Sequence, residues 1–282
     1  MGDEKNICVV VPVHHEMTDL ENFSFQRILK IFSSRKIIVI GPPFLQEYID
    51  SLCEPHENVS RIFFDRVFQR GVRYYSRLFM SREFYKHFLE FDYIAISQID
   101  VFIIKDDLDY WCSQGYDNVG APIFEGYTNP TNIIKTRGNN GGFSLRNPKS
   151  CYKVLSKLKI TYSGIGSLWK MESDFAWKLF RIVRDGFFFN YRFKSFRPVI
   201  NEDVYWSMIV PERFPWYKVC GPEKSKYFAY DANPRYLYEA CNYTYPMAIH
   251  AWWRYDKDFM NEVIEDLGCQ DDLKRYTGKT SI

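Results

Sequence analysis

The stretch NICVVVPVHHEMTDLENFSFQRILKIFSSRKIIVIGPP, residues 6–43, decides the fold class. It begins with a short apolar run that ends at a polar loop, and it closes on a second apolar run that Gly41 and two prolines stop. Between them, residues 19–32 show the apolar recurrence of a helix. The stretch therefore predicts a β-α-β unit, which starts a parallel sheet in an α/β fold.

The rest of the chain continues this alternation and then loosens after Pro211. Predicted strands cover residues 59–65, 92–103, 118–124 and 246–253, and residues 138–147 read as a glycine turn running into a strand. Predicted helices cover residues 71–91, 106–115, 148–158, 172–183, 201–210 and 257–269, the last closed by Gly268. We expect a mixed, mainly parallel sheet flanked by helices, with an irregular helical C-terminal part.

Length, net charge and cysteine count limit the class of protein to which this sequence can belong. A chain of 282 residues suits one large α/β domain, alone or with a smaller helical lobe. A net charge of +2 is too balanced for general nucleic-acid binding, so we expect no nucleic-acid partner. The seven cysteines are scattered and odd in number, and no signal peptide is seen, which favours reduced thiols in the cytoplasm. No apolar run approaches the roughly 18 residues that span a bilayer.

A basic stripe and many aromatic residues each allow two interpretations. Arg66, Arg70, Arg73 and Arg77 follow helical spacing, so they form either a solvated face or a surface for an anionic diphosphate or an anionic membrane. Peripheral association with a membrane is thus left open. Aromatic residues are 18% of the chain, and they fill a core or stack against sugars. The stacking candidates are Trp111, Tyr127, Trp206 and Trp253.

A polar pair interrupts the apolar run AISQIDVFII at residues 95–104. A buried carboxylate needs a partner, so Asp100 either faces a charged ligand from a strand end or is held by an arginine. Residues two apart on a strand point to the same side, so Gln98 and Asp100 can face one ligand together.

Other segments are expected to meet Asp100 beyond the carboxyl ends of the strands, where open α/β sheets bind ligands. The loop after the first strand carries PVHH, residues 12–15. Gly141 and Gly142 let backbone N–H groups approach a substrate, although a tight turn would explain them as well. Glu202 and Asp203 begin a helix, and a late histidine, His250, follows in AIHAWW.

In this order, QIDVFI, NNGGFSLR, NEDVYWS and AIHAWW resemble the motifs of GT-A type glycosyltransferases, which move a sugar from a nucleoside-diphosphate donor. More narrowly, residues 93–146 resemble a bacterial domain family of formerly unknown function found in polysaccharide-type proteins. The resemblance covers about residues 7 to 255. It implies a single GT-A-like (Rossmann-like) domain over residues 1–282, with a nucleotide-binding half over about 1–125 and an acceptor-binding half with the C-terminal helix over about 126–282.

The resemblance also implies a divalent cation, Mn²⁺ or Mg²⁺, that bridges the diphosphate of the donor. Its ligands would be Asp100, His250 and Gln98. Gln98 departs from the pattern, because it stands where a D-x-D motif has its first aspartate. Its amide oxygen can bind a hard cation but brings no charge. The structural alternatives are a strand-end cap or salt bridge for Asp100 and a packed histidine for His250.

The remaining roles follow from the same resemblance. Asp203, with Glu202 as the alternative, would take the acceptor proton in an inverting transfer, although NED is also a good helix start and a retaining transfer stays open. The donor sugar would lie on Gly141 and Gly142 beside Asn139 and Asn140. The nucleotide base would border Pro12, Val13 and His14, and Arg77 would reach the diphosphate.

The acceptor would be an oligosaccharide or lipid-linked glycan in bacterial surface polysaccharide or capsule synthesis, in the cytoplasm or at the inner membrane. Two other functions stay open. A nucleotidyltransferase of related fold would carry a glycine-rich basic loop after the first strand, and PVHHEMTD has neither glycine nor Lys or Arg. A glycan-binding protein without activity would explain Gln98.

Overall fold

The computed structural model describes residues 5–64, 71–126, 129–156 and 201–282, without the side chains of residues 71–74. The predicted helix at 172–183 lies outside these ranges, as do Arg66, Arg70 and Tyr127. Within the described ranges no helix is both long enough and apolar enough to cross a bilayer.

Strands and helices alternate through the described chain. The strands are β1 (Ile7–Pro12), β2 (Lys36–Gly41), β3 (Val59–Phe63), β4 (Tyr93–Ser97), β5 (Val101–Ile103), β6 (Asn118–Phe124), β7 (Ile134–Arg146), β8 (Ala229–Tyr230) and β9 (Ala248–His250). The helices are α1 (Asp19–Ile31), α2 (Gln46–Cys53), α3 (Gly71–Phe79), α4 (Arg82–Lys86), α5 (Leu108–Ser113), α6 (Pro148–Ser156), α7 (Glu202–Val204), α8 (Val210–Arg213), α9 (Pro222–Ser225), α10 (Pro234–Ala240), α11 (Lys257–Asp266) and α12 (Gln270–Thr277). A π-helical turn, Tyr205–Ile209, joins α7 to α8.

The large sheet has the order β3-β2-β1-β4-β7-β6. Strands β3, β2, β1 and β4 are parallel, and β7 runs antiparallel to both β4 and β6. The predicted mixed, mainly parallel sheet is therefore confirmed. From β1 the chain winds to one side through β2 and β3 and then crosses to β4 on the other side, so a crevice opens where β1 and β4 end.

The central strand β1 is buried on both faces, which explains its continuous apolar run. Val9 and Val11 belong to the core layer that includes α1, α2 and α5, whereas Cys8 and Val10 belong to the layer that includes α4 and α6. The two layers cover the sheet and hold the loops at its carboxyl edge in place.

A second, small sheet has the order β5-β9-β8, and the sequence interpretation missed its first strand as a separate element. The predicted strand 92–103 breaks at residues 98–100, because the chain leaves the large sheet after Ser97 and Val101 pairs antiparallel with His250. Gln98 and Asp100 thus lie in a turn between two sheets. The expectation that they share one face of a continuous strand is wrong.

Two further predicted elements differ from the structure. Residues 71–91 form two helices rather than one, because Ser81 caps α4 by accepting a hydrogen bond from the Phe84 N–H at 3.1 Å. Residues 138–147 contain no tight turn, since Gly141 and Gly142 lie inside the long strand β7. The predicted helix start at Asn201 and the helix closed near Gly268 are confirmed, and the sequence interpretation missed the helix α12 that follows.

Candidate active site

A cavity of about 540 Å³ lies at the carboxyl edge, where β1 and β4 end. Its walls come from the ends of β1 and β4, from the middle of β7, from the start of α7 and from the segments after β8 and β9. This volume is typical of small-molecule sites. Most residues that the sequence singled out line it: Pro12, His14, Gln98, Asp100, Asn140, Gly141, Gly142, Glu202, Asp203, His250 and Trp253.

His250 is the centre of the polar wall. Its Nε2 lies 3.3 Å from Asp100 Oδ1 and 3.1 Å from Gln98 Oε1. Its Nδ1 donates to Asp231 Oδ1 at 2.8 Å. The Asp231 carboxylate therefore fixes the imidazole ring at Nδ1, while Nε2 contacts Gln98 and Asp100 of the β4–β5 turn.

The charges of this wall are coupled. Burial disfavours a charged imidazole, but the carboxylates of Asp100 and Asp231 outweigh it and raise the pKa of His250 to about 10. For Asp100, burial favours the neutral acid, and the neighbouring His250 nevertheless holds its pKa below the usual range. The charged imidazole and the Asp100 carboxylate therefore form an ion pair at neutral pH.

Asn140 ties this wall to β7. Its Nδ2 donates to Asp231 Oδ2 at 3.0 Å, and its Oδ1 accepts from the Gly142 N–H at 2.7 Å. Asp231 thus accepts hydrogen bonds from both Asn140 and His250. Asn139 points instead into the core, where its Nδ2 donates to the Gly120 carbonyl at 2.9 Å.

The two glycines are needed because side chains lie against them. A Cβ added at Gly142 would stand under 3.0 Å from the His250 ring, and one added at Gly141 would stand under 3.0 Å from Glu202 Oε1. Their φ angles are not in the left-handed region, so close approach rather than a turn requires glycine here.

The two adjacent carboxylates of α7 have different environments. Glu202 forms a fully buried ion pair with Arg146 at 2.6 Å, and the side chains are 4% and 1% exposed. Burial raises the pKa of Glu202 to about 7, against the opposing effect of Arg146. Burial also raises the pKa of Asp203, whose Oδ1 accepts from the Val204 N–H at 2.7 Å. Within the described residues, Asp203 has no ion pair of this kind.

The other predicted ligand contacts fall into two groups. Pro12 and His14 line the cavity together with His15 and Glu21. Val13 is fully buried in the core beside α1, and Arg77, a half-buried residue of α3, is outside the cavity lining.

Among the aromatic candidates, Trp253 lines the cavity, whereas Trp111 and Trp206 are buried core residues. Trp206 donates its indole N–H to the Phe79 carbonyl at 2.9 Å. Core packing therefore accounts for Trp111 and Trp206, and stacking on a sugar remains a prediction for Trp253.

Sequence reasoning missed four residues of the site: Asp231, Arg254, Tyr75 and Arg146. Asp231, Arg254 and Tyr75 line the cavity, and Arg254 is the sole Arg or Lys of its lining in the described chain. Arg146 alone carried a usable signal, since a charged residue at the end of the apolar strand FSLR predicts a buried acidic partner.

The donor atoms at the β4–β5 turn fit a divalent cation. Adjacent ligands of a Mg²⁺ or Mn²⁺ ion with bonds of about 2.1 Å lie about 3 Å apart, near the 3.1 and 3.3 Å between His250 Nε2 and its two oxygen neighbours. An Nδ1–H bound to a carboxylate is typical of metal-binding histidines. Within the described residues no group of three His, Cys, Asp or Glu side chains could hold a metal ion, so a cation at this place would also need the Gln98 amide oxygen.

A family model described as "Protein of unknown function (DUF5672)" matches residues 58–250. This range begins at β3 and ends at His250, so it contains most of the cavity wall. No curated protein matches the sequence.

Solved structures of three glycosyltransferases align with low identity over most of this chain. Mouse Xyloside xylosyltransferase 1 in its apo form is 11% identical, with 87% of this chain and 97% of that chain covered and a TM-score of 0.46. The galactosyltransferase LgtC with donor and acceptor sugar analogs is 14% identical, with 98% and 97% covered and a TM-score of 0.47. The apo-form glycosyltransferase GlyE of Streptococcus pneumoniae is 13% identical, with 97% and 63% covered and a TM-score of 0.49.

Proposed function

We propose that this chain, which belongs to the family described as "Protein of unknown function (DUF5672)", is a glycosyltransferase that moves a sugar from a nucleoside-diphosphate donor to a glycan or glycolipid hydroxyl. The family description names no reaction, so the proposal is drawn from the cavity itself. The observation that carries this proposal is the meeting of Gln98, Asp100 and His250 on one wall, with Asp203 on the same cavity.

The charge of the cavity supports a requirement for a divalent cation. Five carboxylates line it, those of Glu21, Asp100, Glu202, Asp203 and Asp231. A diphosphate would be repelled by such walls unless a cation lies between them. Gln98, Asp100 and His250 would hold Mn²⁺ or Mg²⁺, and the nitrogen ligand favours Mn²⁺. When bound, the cation would neutralise the charge that develops on the leaving diphosphate.

The protein's own residues would orient the substrates. Asp231 holds the His250 ring in place, and Gly141 and Gly142 present a wall without side chains to the donor sugar. Pro12 and His14 border the nucleotide. The guanidinium of Arg254, which lines the cavity, contacts the diphosphate.

Asp203 is the proposed base. Its pKa is raised by burial, which suits a group that must accept a proton near neutral pH. The acceptor oxygen bonds to the anomeric carbon as the bond from that carbon to the diphosphate oxygen breaks, and the hydroxyl proton passes to the Asp203 carboxylate. This single displacement inverts the anomeric centre.

The loop after β1 argues against a nucleotidyltransferase. Thr18 caps α1, and the Glu21 side chain accepts hydrogen bonds from the Thr18 N–H at 2.8 Å and from its hydroxyl at 2.9 Å. The N-terminus of α1 is thus occupied by the protein's own groups and presents a carboxylate, which disfavours phosphate binding there.

A donor screen tests the proposal. Purified protein with Mn²⁺ and a panel of nucleoside-diphosphate sugars should release nucleoside diphosphate, and transfer should appear when a glycan acceptor is added. Pyrophosphate release would favour nucleotidyl transfer instead. Glycan binding without affinity for any nucleotide sugar, with or without Mn²⁺, would favour a binding protein.

Cellular placement is a separate part of the proposal. We keep the cytoplasm, with peripheral association at the inner membrane and a role in surface polysaccharide synthesis, as predictions from the sequence. Three of the four arginines behind the membrane prediction, Arg66, Arg70 and Arg73, have no described side chains. Sedimentation with vesicles of anionic lipid is the direct measurement.

A further inference from the structure

A buried ion pair lies directly behind the carboxylates of α7, and glycosyl transfer as proposed above does not use it. Arg146, the last residue of β7, contacts Glu202 Oε2 at 2.6 Å. The same guanidinium donates to the Tyr85 hydroxyl at 3.2 Å and lies 5.8 Å from the centre of the Phe79 ring. Both charged side chains are almost fully shielded from solvent.

Glu202 is anchored on its other sides as well. Its backbone N–H donates to Ser76 Oγ at 3.3 Å, which links α7 to α3. Its Oε1 packs against Gly141, where no side chain can stand between them. The first residue of α7 is thus fixed to β7 and α3 by its charge, its backbone and its shape.

A carboxylate in this setting is poorly suited to accept a proton during turnover. Its Oε2 is held by the Arg146 guanidinium and its Oε1 packs against Gly141, so both oxygens are engaged by the protein itself. Asp203 follows directly in the chain and lines the cavity, and in the part of the chain that the structure describes it has a backbone hydrogen bond and no ion pair.

We infer that Glu202 is a positioning residue, whose ion pair with Arg146 holds the start of α7 so that the Asp203 carboxylate faces the substrates. The expected effect on kcat rests on the proposed glycosyl transfer. The expected position of the Asp203 carboxylate does not depend on it. A misplacement of about 1 Å in a catalytic group can cost about 100-fold in rate.

The kinetic test compares Glu202→Gln, Asp203→Asn and Arg146→Met with wild type. Glu202→Gln should lower kcat by about 10- to 100-fold, keep the donor Kd within about twofold, and retain the acid limb of the pH–rate profile. Asp203→Asn should lower kcat further and lose that limb. Arg146, Glu202 and Asp231 are the charged neighbours of Asp203, so their charges set the pH at which the acid limb falls. If Glu202→Gln instead abolished the acid limb and matched Asp203→Asn, Glu202 would be the base and the inference would fail.

A double variant keeps the test independent of folding and of donor identity. Arg146→Met/Glu202→Met removes both buried charges, so it should fold. Its crystal structure should show the Asp203 carboxylate displaced by about 1 Å or more, with kcat reduced as in Glu202→Gln. An undisplaced Asp203 and unchanged kcat would mean that the pair only stabilises the fold. A wild-type protein that releases nucleoside diphosphate from no donor would contradict the proposed function, while the position of Asp203 would still decide the inference.

Discussion

His250 Nε2 lies 3.3 Å from Asp100 Oδ1, although one residue comes from the turn after β4 and the other from β9 near the end of the chain. The contact exists because β5 and β9 pair, with Val101 opposite His250. Both side chains line the same cavity, and the same nitrogen meets Gln98. Among the described residues, the acid in the apolar run 95–104 is therefore partnered by a histidine and not by an arginine.

Asp100→Asn should remove the charged ligand of the proposed cation site with little change in shape. We expect Mn²⁺-dependent nucleoside diphosphate release to fall at least about 100-fold and Mn²⁺ affinity to drop with it. Mn²⁺ binding is measured by electron paramagnetic resonance and turnover by coupled assay. Asp271→Asn, on exposed α12, is the matched control. Unchanged turnover in Asp100→Asn would contradict the site assignment.

Gly142→Ala tests the close approach between β7 and His250. The new methyl group must displace the imidazole ring, so we expect loss of Mn²⁺ binding and of turnover in a protein that still folds. Gly221→Ala is the control, because open space surrounds that position and its φ of −72° suits alanine. Equal activity of the two variants would mean that the position of the ring does not matter.

Asp231→Asn tests the orientation of the histidine. Losing the carboxylate behind Nδ1 weakens the hold on the ring, and removing such a partner typically lowers metal affinity 10- to 100-fold. Calorimetric titration with Mn²⁺ provides the measurement. An affinity within twofold of wild type would show that Asp231 does not act through His250.

The buried carboxylate of Glu202 should leave a signature in stability against pH. Its pKa is 4.5 ordinarily and about 7 in the fold, so the folded state holds this proton more tightly than the unfolded state. As pH rises from about 4.5 through 7, the free energy of unfolding of wild type should therefore fall relative to Glu202→Gln, by about 3 kcal/mol at most. Urea unfolding of both proteins at several pH values measures the difference. A difference that stays constant across this range would contradict the raised pKa.

Much of the fold was predictable from residues 6–43 and from the apolar runs that follow. β1, α1, β2 and β3 were predicted in place, because buried parallel strands and an amphipathic helix have strong local patterns. The break between β4 and β5 was not predictable, since AISQIDVFII remains apolar while the chain changes sheets. Pairing with a distant strand, β9, ends β4, and local pattern carries no such information.

The site residues that belong to the ordered sequence motifs were predictable. The residues that only the three-dimensional fold brings to the cavity were not. Asp100, His250, Gly142 and Asp203 were predicted and line one cavity. Asp231 follows a strand of two residues and has no local signal of its own. For Asp100 the sequence left a charged ligand and an arginine partner open, whereas the acid that a buried arginine holds is Glu202.

The most direct measurement is a crystal structure of the full chain with MnCl₂ and a nucleoside diphosphate, with anomalous scattering used to locate manganese. The predicted result is one manganese peak bonded to Gln98, Asp100, His250 and diphosphate oxygens, with His250 Nδ1 still on Asp231. Manganese and diphosphate bound elsewhere, with His250 still paired to Asp100, would contradict the proposed reaction.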